Sequence, residues 1–379
     1  MPGYLEEVLF LRDDPFKVPV PQHPEVWATS QKIKDDIDKI IGNLLVSESS
    51  SMNVFWGTLG TGKTYTANYY SYKGVREVLK NLKSNKILEE NFEVFCFPRF
   101  VTSVGGRRDI QFLEMLMSNV SLCLLKDVKA KEIFRKAFSG QDNYINSFIE
   151  ESILSFELNQ IVESNMSPED FLKAILKGYL PCETEIPLTR VPFILETFVF
   201  IMKVLTHPEY GFRRVFIWID EAEKFADMPS VERAINQTFL RDCFDRIQEK
   251  MHIFLLITTA RPDSREINAY LSDFLVKRLT YVYELPPLYE EEMAVQYVKK
   301  LLDFYRTRNA PKNLPPYFPF TEESVRMILR GGEETYTPMP PRDINIQFEK
   351  ALSSLRREKV SITPEKPVTP EQLKAIMVF

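Results

Sequence analysis

Hydrophobic positions recur at helical spacing along three long parts of this chain. Between residues 27 and 46 they fall three or four positions apart, at Ile33, Ile37, Ile40, Ile41, Leu44 and Leu45. This spacing predicts one amphipathic helix. Residues 110–207 also have a helical pattern with few glycines, and from Tyr289 onward helices are predicted with breaks at 311–319 and 331–341. Residues 1–30, which are rich in proline, are predicted to form an extended arm.

Short apolar runs predict strands, and the run Arg213–Asp220 does not alternate with polar residues, which predicts a strand buried on both faces. The runs are Asn53–Trp56, Asn91–Phe97, Arg213–Asp220, Ile253–Thr259 and the shorter Thr280–Glu284. Strands of this kind are typical of parallel sheets covered by helices on both sides. Because helical patterns separate the strands, the chain is predicted to be an α/β protein with a parallel sheet.

The first of these strands leads into a glycine-rich loop, Gly57-Thr-Leu-Gly-Thr-Gly62-Lys63-Thr64. The loop matches the pattern G-x-x-x-x-G-K-[ST], and a helix is predicted directly after it. Such a loop directs backbone N–H groups at phosphate oxygens. The lysine reaches the β- and γ-phosphates and the threonine hydroxyl binds Mg²⁺. The alternative is a glycine-rich turn that binds nothing. The predicted nucleotide-binding residues are Gly57, Thr58, Leu59, Gly60, Thr61, Gly62, Lys63, Thr64 and Tyr65.

A second candidate feature lies where the strand Arg213–Asp220 ends. Asp220 and Glu221 follow the apolar residues 215–219 in a Walker B pattern. Ligands of open parallel sheets bind at the carboxyl ends of the strands. We expect Asp220 to hold Mg²⁺, directly or through water, and Glu221 to orient or deprotonate the attacking water. The alternative is an ordinary strand end capped by acidic residues.

Composition restricts the class of protein further. The chain has 379 residues, and its longest apolar runs fall short of a membrane-spanning helix. Its N-terminus lacks the pattern of a signal peptide. Four cysteines lie far apart without a C-x-x-C pair, so neither a zinc site nor a disulfide framework is expected. This use of cysteine predicts a cytoplasmic location. The net charge of −5 argues against a chain coated with basic groups, but a local basic patch remains compatible with it.

The order and spacing of these features over residues 10–355 resemble the AAA+ ATPases. The resemblance is greatest to the branch of origin-recognition initiators and transposon-targeting ATPases. It implies that Thr258 or Thr259 is sensor 1, near the γ-phosphate. It also implies an arginine finger at Arg278, with Arg261 as a second candidate, acting on ATP in a neighbouring subunit. Arg342, at the start of a predicted helix, matches sensor 2.

The same resemblance suggests a division of the chain. The expected parts are an N-terminal arm and first helix at 1–46, an AAA+ α/β core at 47–288, a helical lid at 289–358 and a tail at 359–379. The interval from Lys63 to Asp220 is longer than is usual in the family, so we expect a helical insertion at about 110–207. The stretch after the lid is too short for the winged-helix domain that initiators carry.

These features leave two classes of function open. In the first, an ATPase binds and hydrolyses ATP with Mg²⁺ and forms a homo-oligomer, or a hetero-oligomer with another ATPase subunit. This assembly would load on or regulate a DNA-processing assembly, with Arg107 and Arg108 contacting phosphates of double-stranded DNA. In the second, the ATPase is a protein-facing switch, as in signalling or defence, that controls an effector protein. A scaffold that binds nucleotide without hydrolysing it is a third possibility, which the intact Lys63, Asp220 and Glu221 disfavour.

Overall fold

The computed structural model describes residues 3–18, 21, 24–102, 111–139, 142–164, 166–247, 250–358 and 360–377. The chain folds into two compact units, each assembled from separate parts of the sequence. The first unit comprises residues 1–38, 57–69 and 285–379, and the second comprises 39–56 and 70–284.

The first half of the chain contains strands of the sheet followed by the long helical stretch that the hydrophobic pattern predicts. In order, the elements are α1 (Gln31–Val46), β1 (Ser51–Gly57), α2 (Lys63–Tyr69), α3 (Val75–Ser84), β2 (Val94–Cys96), β3 (Phe100–Val101), α4 (Gln111–Lys126), α5 (Val128–Ala137), α6 (Asn143–Glu151), α7 (Ser155–Glu163), α8 (Pro168–Leu176), β4 (Tyr179–Leu180), β5 (Ile186–Pro187) and α9 (Val191–Leu205).

The second half completes the sheet and then becomes helical. Its elements are β6 (Arg214–Asp220), α10 (Ser230–Arg246), β7 (Met251–Thr258), α11 (Ile267–Tyr270), α12 (Asp273–Val276), β8 (Leu279–Glu284), α13 (Glu291–Tyr305), α14 (Glu322–Leu329), α15 (Pro341–Arg357) and α16 (Pro370–Ile376). The predicted breaks at 311–319 and 331–341 fall between these last helices.

A six-stranded sheet forms the centre of the second unit. Its order is β2-β6-β7-β1-β8, with β3 also paired to β6. Strand β6 runs parallel to β2, β3 and β7, and β1 runs parallel to β8. Every residue of β6 is buried. The expectation of an α/β fold with a mostly parallel sheet, containing strands covered on both faces, is therefore confirmed.

The segment expected to be a helical insertion contains α4 to α9. Its buried core includes an aromatic cluster in which Phe138 contacts Phe134, Phe171 and Phe200. The segment also contains an antiparallel hairpin, β4–β5, which the helical pattern does not predict. Two-residue strands are too short to show alternation, so the sequence carries no periodic signal for this hairpin.

In the first unit the N-terminal arm packs with the C-terminal helices. Leu9, Leu11 and Phe16 are fully buried in a core shared with α13 to α16, and the Phe16 ring lies 4.9 Å from that of Phe348. The prediction of an extended arm is wrong at Tyr4–Val8, which forms a short π-helix. No proline interrupts residues 3–14, so the backbone there is free to form a helical turn.

None of the described helices has both the length and the hydropathy required to cross a bilayer.

Candidate nucleotide site

The glycine-rich loop joins β1 to α2 and has a backbone that side chains would disturb. Gly60 has φ +85°, and a Cβ built on it would lie 3.0 Å from the Cβ of Arg342 and 3.3 Å from that of Pro340. A Cβ on Gly57 would lie only 2.5 Å from the carbonyl oxygen of Leu285. Glycine is therefore required at position 60 because the backbone is left-handed, and at position 57 because the Leu285 carbonyl oxygen approaches closely.

Lys63, the first residue of α2, holds its charge inside the loop. Its side chain is buried, and Nζ donates hydrogen bonds to the carbonyl oxygens of Gly57 (2.9 Å) and Thr58 (2.8 Å). Thr61 Oγ1 donates to the same Thr58 oxygen at 3.0 Å, whereas Leu59 is exposed. An ammonium group held at the amino end of a helix is suited to bind an anion of high charge.

The N-terminal arm covers one side of α2. Tyr65 donates its hydroxyl proton to the carbonyl oxygen of Val26, and Trp27 packs edge-on against Tyr65 and Tyr69. Asn68 Nδ2 donates to the carbonyl oxygen of Pro21 at 3.0 Å. Burial raises the pKa of Tyr65. The side chain of Tyr65 thus ties the arm to α2.

Arg342 lies next to the loop in the same unit. It occupies the first turn of α15, and its backbone N–H bonds to the carbonyl oxygen of Gly60 at 3.3 Å. Its side chain is exposed. The structure therefore brings the residue expected at sensor 2 against the phosphate loop.

The predicted carboxylates lie in the second unit at the carboxyl end of β6. Asp220 is buried; its Oδ1 accepts a hydrogen bond from the N–H of Glu221 at 2.9 Å. Glu221 itself has φ 58° and ψ 37°, and its carboxylate forms an ion pair with Lys224. A left-handed conformation costs a non-glycine residue about 1–3 kcal/mol and is typical of functional sites.

Two neighbours of Asp220 were not predicted from the sequence. Arg99 Nη1 donates to Oδ2 of Asp220 at 2.8 Å. Thr102 donates its backbone N–H to the carbonyl oxygen of Asp220, and its buried hydroxyl is among those without a hydrogen-bond partner in the described residues. The rule that sites form at the carboxyl ends of strands, applied to the second strand, is the signal that could have found both.

The structure distinguishes the two threonines considered for sensor 1. The backbone N–H of Thr258 donates to Glu223 Oε2 at 2.9 Å. Thr259 follows the end of β7 and is 2% exposed. Its Oγ1 has no hydrogen-bond partner among the described residues. A buried hydroxyl in this state is available to a ligand, so the geometry favours Thr259.

Arg278 is engaged within its own unit. Its guanidinium donates to both carboxylate oxygens of Asp245, at 2.8 and 2.7 Å, and to the carbonyl oxygen of Phe274 at 2.8 Å. The Asp245 carboxylate raises the pKa of Arg278. Arg261, the other candidate finger, is exposed. An arginine finger at Arg278 would have to leave Asp245 before contacting a neighbouring subunit.

The candidate DNA contacts are described only in part. Arg107 and Arg108 lie outside the described residues. Two nearby lysines are ion-paired, Lys129 with Glu93 and Lys131 with Glu169. The described residues contain no group of three or more His, Cys, Asp or Glu that could hold a metal ion.

Comparison with known proteins supports the fold. No model of a protein family matches the chain, and no curated protein matches it. The structure is similar to that of the ORC2 protein of Aeropyrum pernix in its ADP form, with 12% sequence identity, 97% of this chain and 72% of that chain covered, and a TM-score of 0.54. For the ADPNP–ADP complexes of the same protein, the sequence identity is 11%, 96% of this chain and 70% of that chain are covered, and the TM-score is 0.50. The likeness shows that the chain shares the fold of these ORC2 structures, a mixed α/β fold with a mostly parallel sheet, as the sequence resemblance predicts.

Proposed function

We propose that this chain is an AAA+ ATPase that binds ATP with Mg²⁺ and hydrolyses it. The conformation of the phosphate loop is the main support. A Cβ on Gly57 or Gly60 would crowd neighbouring atoms, and Lys63 points its ammonium group at the carbonyl oxygens of the same loop. Phosphate oxygens can replace these carbonyl partners because they carry more negative charge.

The side chains assigned to Mg²⁺ suit that ion chemically. Thr64 and Asp220 offer a hydroxyl and a carboxylate oxygen, which are hard donors of the type that Mg²⁺ prefers. Asp220 already binds a cation, the guanidinium of Arg99. When bound, the metal would neutralise charge on the phosphates.

The other candidate residues take roles around the γ-phosphate. Glu221 orients the attacking water and accepts its proton. The hydroxyl of Thr259 and the guanidinium of Arg342 contact the phosphate that is transferred. Arg278 acts in trans, so the site is complete only when subunits assemble.

Replacing Lys63 tests the nucleotide site. We expect Lys63→Ala to weaken binding of a fluorescent ATP analogue by on the order of 100-fold, since a charge-assisted contact is lost from a buried site. Lys80→Ala removes an exposed lysine and serves as the control. Equal ATP affinity for both variants would reject the loop as the binding site.

At a finer level, we propose that nucleotide-dependent assembly of subunits regulates a DNA-processing assembly. The support is the resemblance to origin-recognition initiators in sequence order and the likeness of fold to the ORC2 protein. ATP would stabilise the interface at which Arg278 acts, and double-stranded DNA would bind through the loop that carries Arg107 and Arg108.

The second candidate is a switch that controls an effector protein without binding DNA. The ion pairs of Lys129 and Lys131 favour it, because they reduce the basic charge that these two lysines offer to phosphates. In this function ATP changes the state of the ATPase, and the effector responds to that state.

Particle mass separates the two candidates. Mass photometry is performed with no nucleotide, with ADP and with a non-hydrolysable ATP analogue, each with and without duplex DNA at two salt concentrations. Assembly that requires ATP and DNA and weakens with salt is expected of the DNA-dependent regulator. Masses that do not respond to DNA would contradict it and leave the effector switch.

A further inference from the structure

Two large apolar side chains are exposed together at the turn between α6 and α7. Ile153 is 61% exposed and Phe156 is 69% exposed, the largest value for a large hydrophobic side chain in the described residues. Single exposed apolar residues are common on protein surfaces, but neighbouring ones are typical of interaction sites. We call Ile153 and Phe156 the apolar knob.

The turn that carries the apolar knob is firmly anchored. Ser152 Oγ donates to Glu196 Oε2 at 2.8 Å and accepts from the N–H of Leu154 at 3.1 Å. Leu154 is buried between the two exposed residues. Arg246 in turn binds both oxygens of Glu196, at 2.5 and 2.9 Å. A turn held in this way loses little conformational entropy when it binds a partner.

The chain segment that carries the apolar knob is acidic, although Glu169 in it is paired with Lys131. Residues 137–172 contain seven acidic side chains and no lysine or arginine, in a chain whose net charge is −5. Glu150 and Glu151 are exposed immediately before the knob. This charge repels phosphate backbones and attracts lysine and arginine.

We propose that the apolar knob is the docking site for a partner protein that presents an apolar socket bordered by lysine and arginine side chains. Burial of the Phe156 ring and the Ile153 methyl groups supplies favourable free energy of binding, and the carboxylates select a basic partner. This site goes beyond the proposed ATPase activity, because its residues are distinct from those assigned to nucleotide.

A synthetic peptide with leucine and lysine at helical spacing serves as the probe. A peptide in which glutamate replaces each lysine, the glutamate twin, serves as the control of opposite charge. Fluorescence anisotropy is measured with the full chain. We expect the lysine peptide to bind and Phe156→Ser to weaken binding by at least about 10-fold, as is usual for an aromatic anchor. Val128→Ser removes another exposed apolar residue of the same unit, 68% exposed, and should leave binding unchanged.

Charge reversal tests the second part of the proposal while keeping the apolar knob intact. The double variant Glu150→Lys/Glu151→Lys should lose the lysine peptide and gain affinity for the glutamate twin. Glu89→Lys/Glu90→Lys reverses another exposed acidic pair and should behave as wild type. Thermal unfolding checks that all variants fold.

Three results would overturn the proposal. Equal weakening by Phe156→Ser and Val128→Ser would mean that the peptide does not use the apolar knob. Concentration-dependent self-association that Phe156→Ser abolishes would identify a second copy of this chain as the occupant. Direct binding of duplex DNA to the full chain that Phe156→Ser weakens would identify a nucleic-acid surface. Lys63→Ala should bind the peptide normally, so failure of the ATPase proposal is measured separately.

Discussion

At the scale of single residues, two buried threonines mark the carboxyl edge of the sheet. Thr102 Oγ1 and Thr259 Oγ1 are among the buried atoms without hydrogen-bond partners in the described residues. An unsatisfied buried hydroxyl costs about 1–3 kcal/mol, so a fold retains it where it has a further role. Thr102 follows β3 and Thr259 follows β7, and both strands pair with β6, which ends in Asp220.

Replacing Thr259 by valine tests this role directly. Valine keeps the shape and removes a hydroxyl that no described residue satisfies, so we expect stability to remain equal or to increase by about 1 kcal/mol. ATP turnover should fall by about 10- to 100-fold if the hydroxyl contacts the transferred phosphate. The neighbouring Thr258→Val is the control, and Thr259→Val with full turnover would exclude sensor 1 at this position.

His252 predicts a pH dependence of stability. Its ring is fully buried, with Nδ1 2.9 Å from Ser51 Oγ, and burial followed by the charge of Arg214 lowers its pKa from 6.5 to about 3. At pH values between these two pKa values, His252 binds a proton in the unfolded chain but not in the folded chain. The free energy of unfolding therefore falls as the pH decreases below 6.5.

Comparing wild type with His252→Leu isolates this contribution. From pH 7.5 to pH 5 the histidine should cost wild type about 2 kcal/mol of unfolding free energy that the variant does not lose. Urea unfolding at several pH values measures the two slopes. Parallel slopes would mean that His252 is protonated in the folded protein.

At the scale of elements, α10 and α12 are joined by the candidate arginine finger. Arg278 follows α12 and binds Asp245 of α10 through both carboxylate oxygens. Both side chains are partly exposed, 29% and 42%, so the pair contributes at most about 1 kcal/mol to stability. Such a pair can be broken at low cost when a neighbouring subunit offers phosphate.

Two matched variants distinguish a finger from a structural tie. Arg278→Gln and Asp245→Asn each break the pair and should change stability equally and slightly. Only Arg278→Gln should lose turnover, by about 10³-fold, and mixing it with Asp220→Ala subunits should restore activity. Equal loss of turnover in both variants would assign the pair to structure alone.

Elements and residues differ in how far the sequence predicts them. The strand ending at Asp220 and the loop before Lys63 carry local patterns, so their positions and the α/β class follow from sequence. Arg99 and Asp220 are 121 residues apart, and Arg278 and Asp245 are 33 apart. Pairs of this kind depend on tertiary packing and leave no periodic signal. The β4–β5 hairpin was missed because its strands are too short.

At the scale of the whole molecule, the candidate residues are divided between the two units. The first unit holds the phosphate loop with Lys63 and Arg342, and the second holds Asp220, Glu221 and Thr259. In the proposed function, Glu221 is the residue whose replacement separates hydrolysis from binding. Its left-handed backbone and its ion pair with Lys224 fix the position of the carboxylate in the described structure.

Replacing Glu221 by glutamine therefore tests the central claim, because it separates binding from hydrolysis. ATP affinity by calorimetry and phosphate release at steady state are measured for wild type, Glu221→Gln and the exposed control Glu209→Gln. We expect Glu221→Gln to bind ATP normally and to turn over at least about 100-fold more slowly, the usual contribution of a general base. Normal turnover by Glu221→Gln, or no turnover by wild type under conditions where it assembles, would contradict the account.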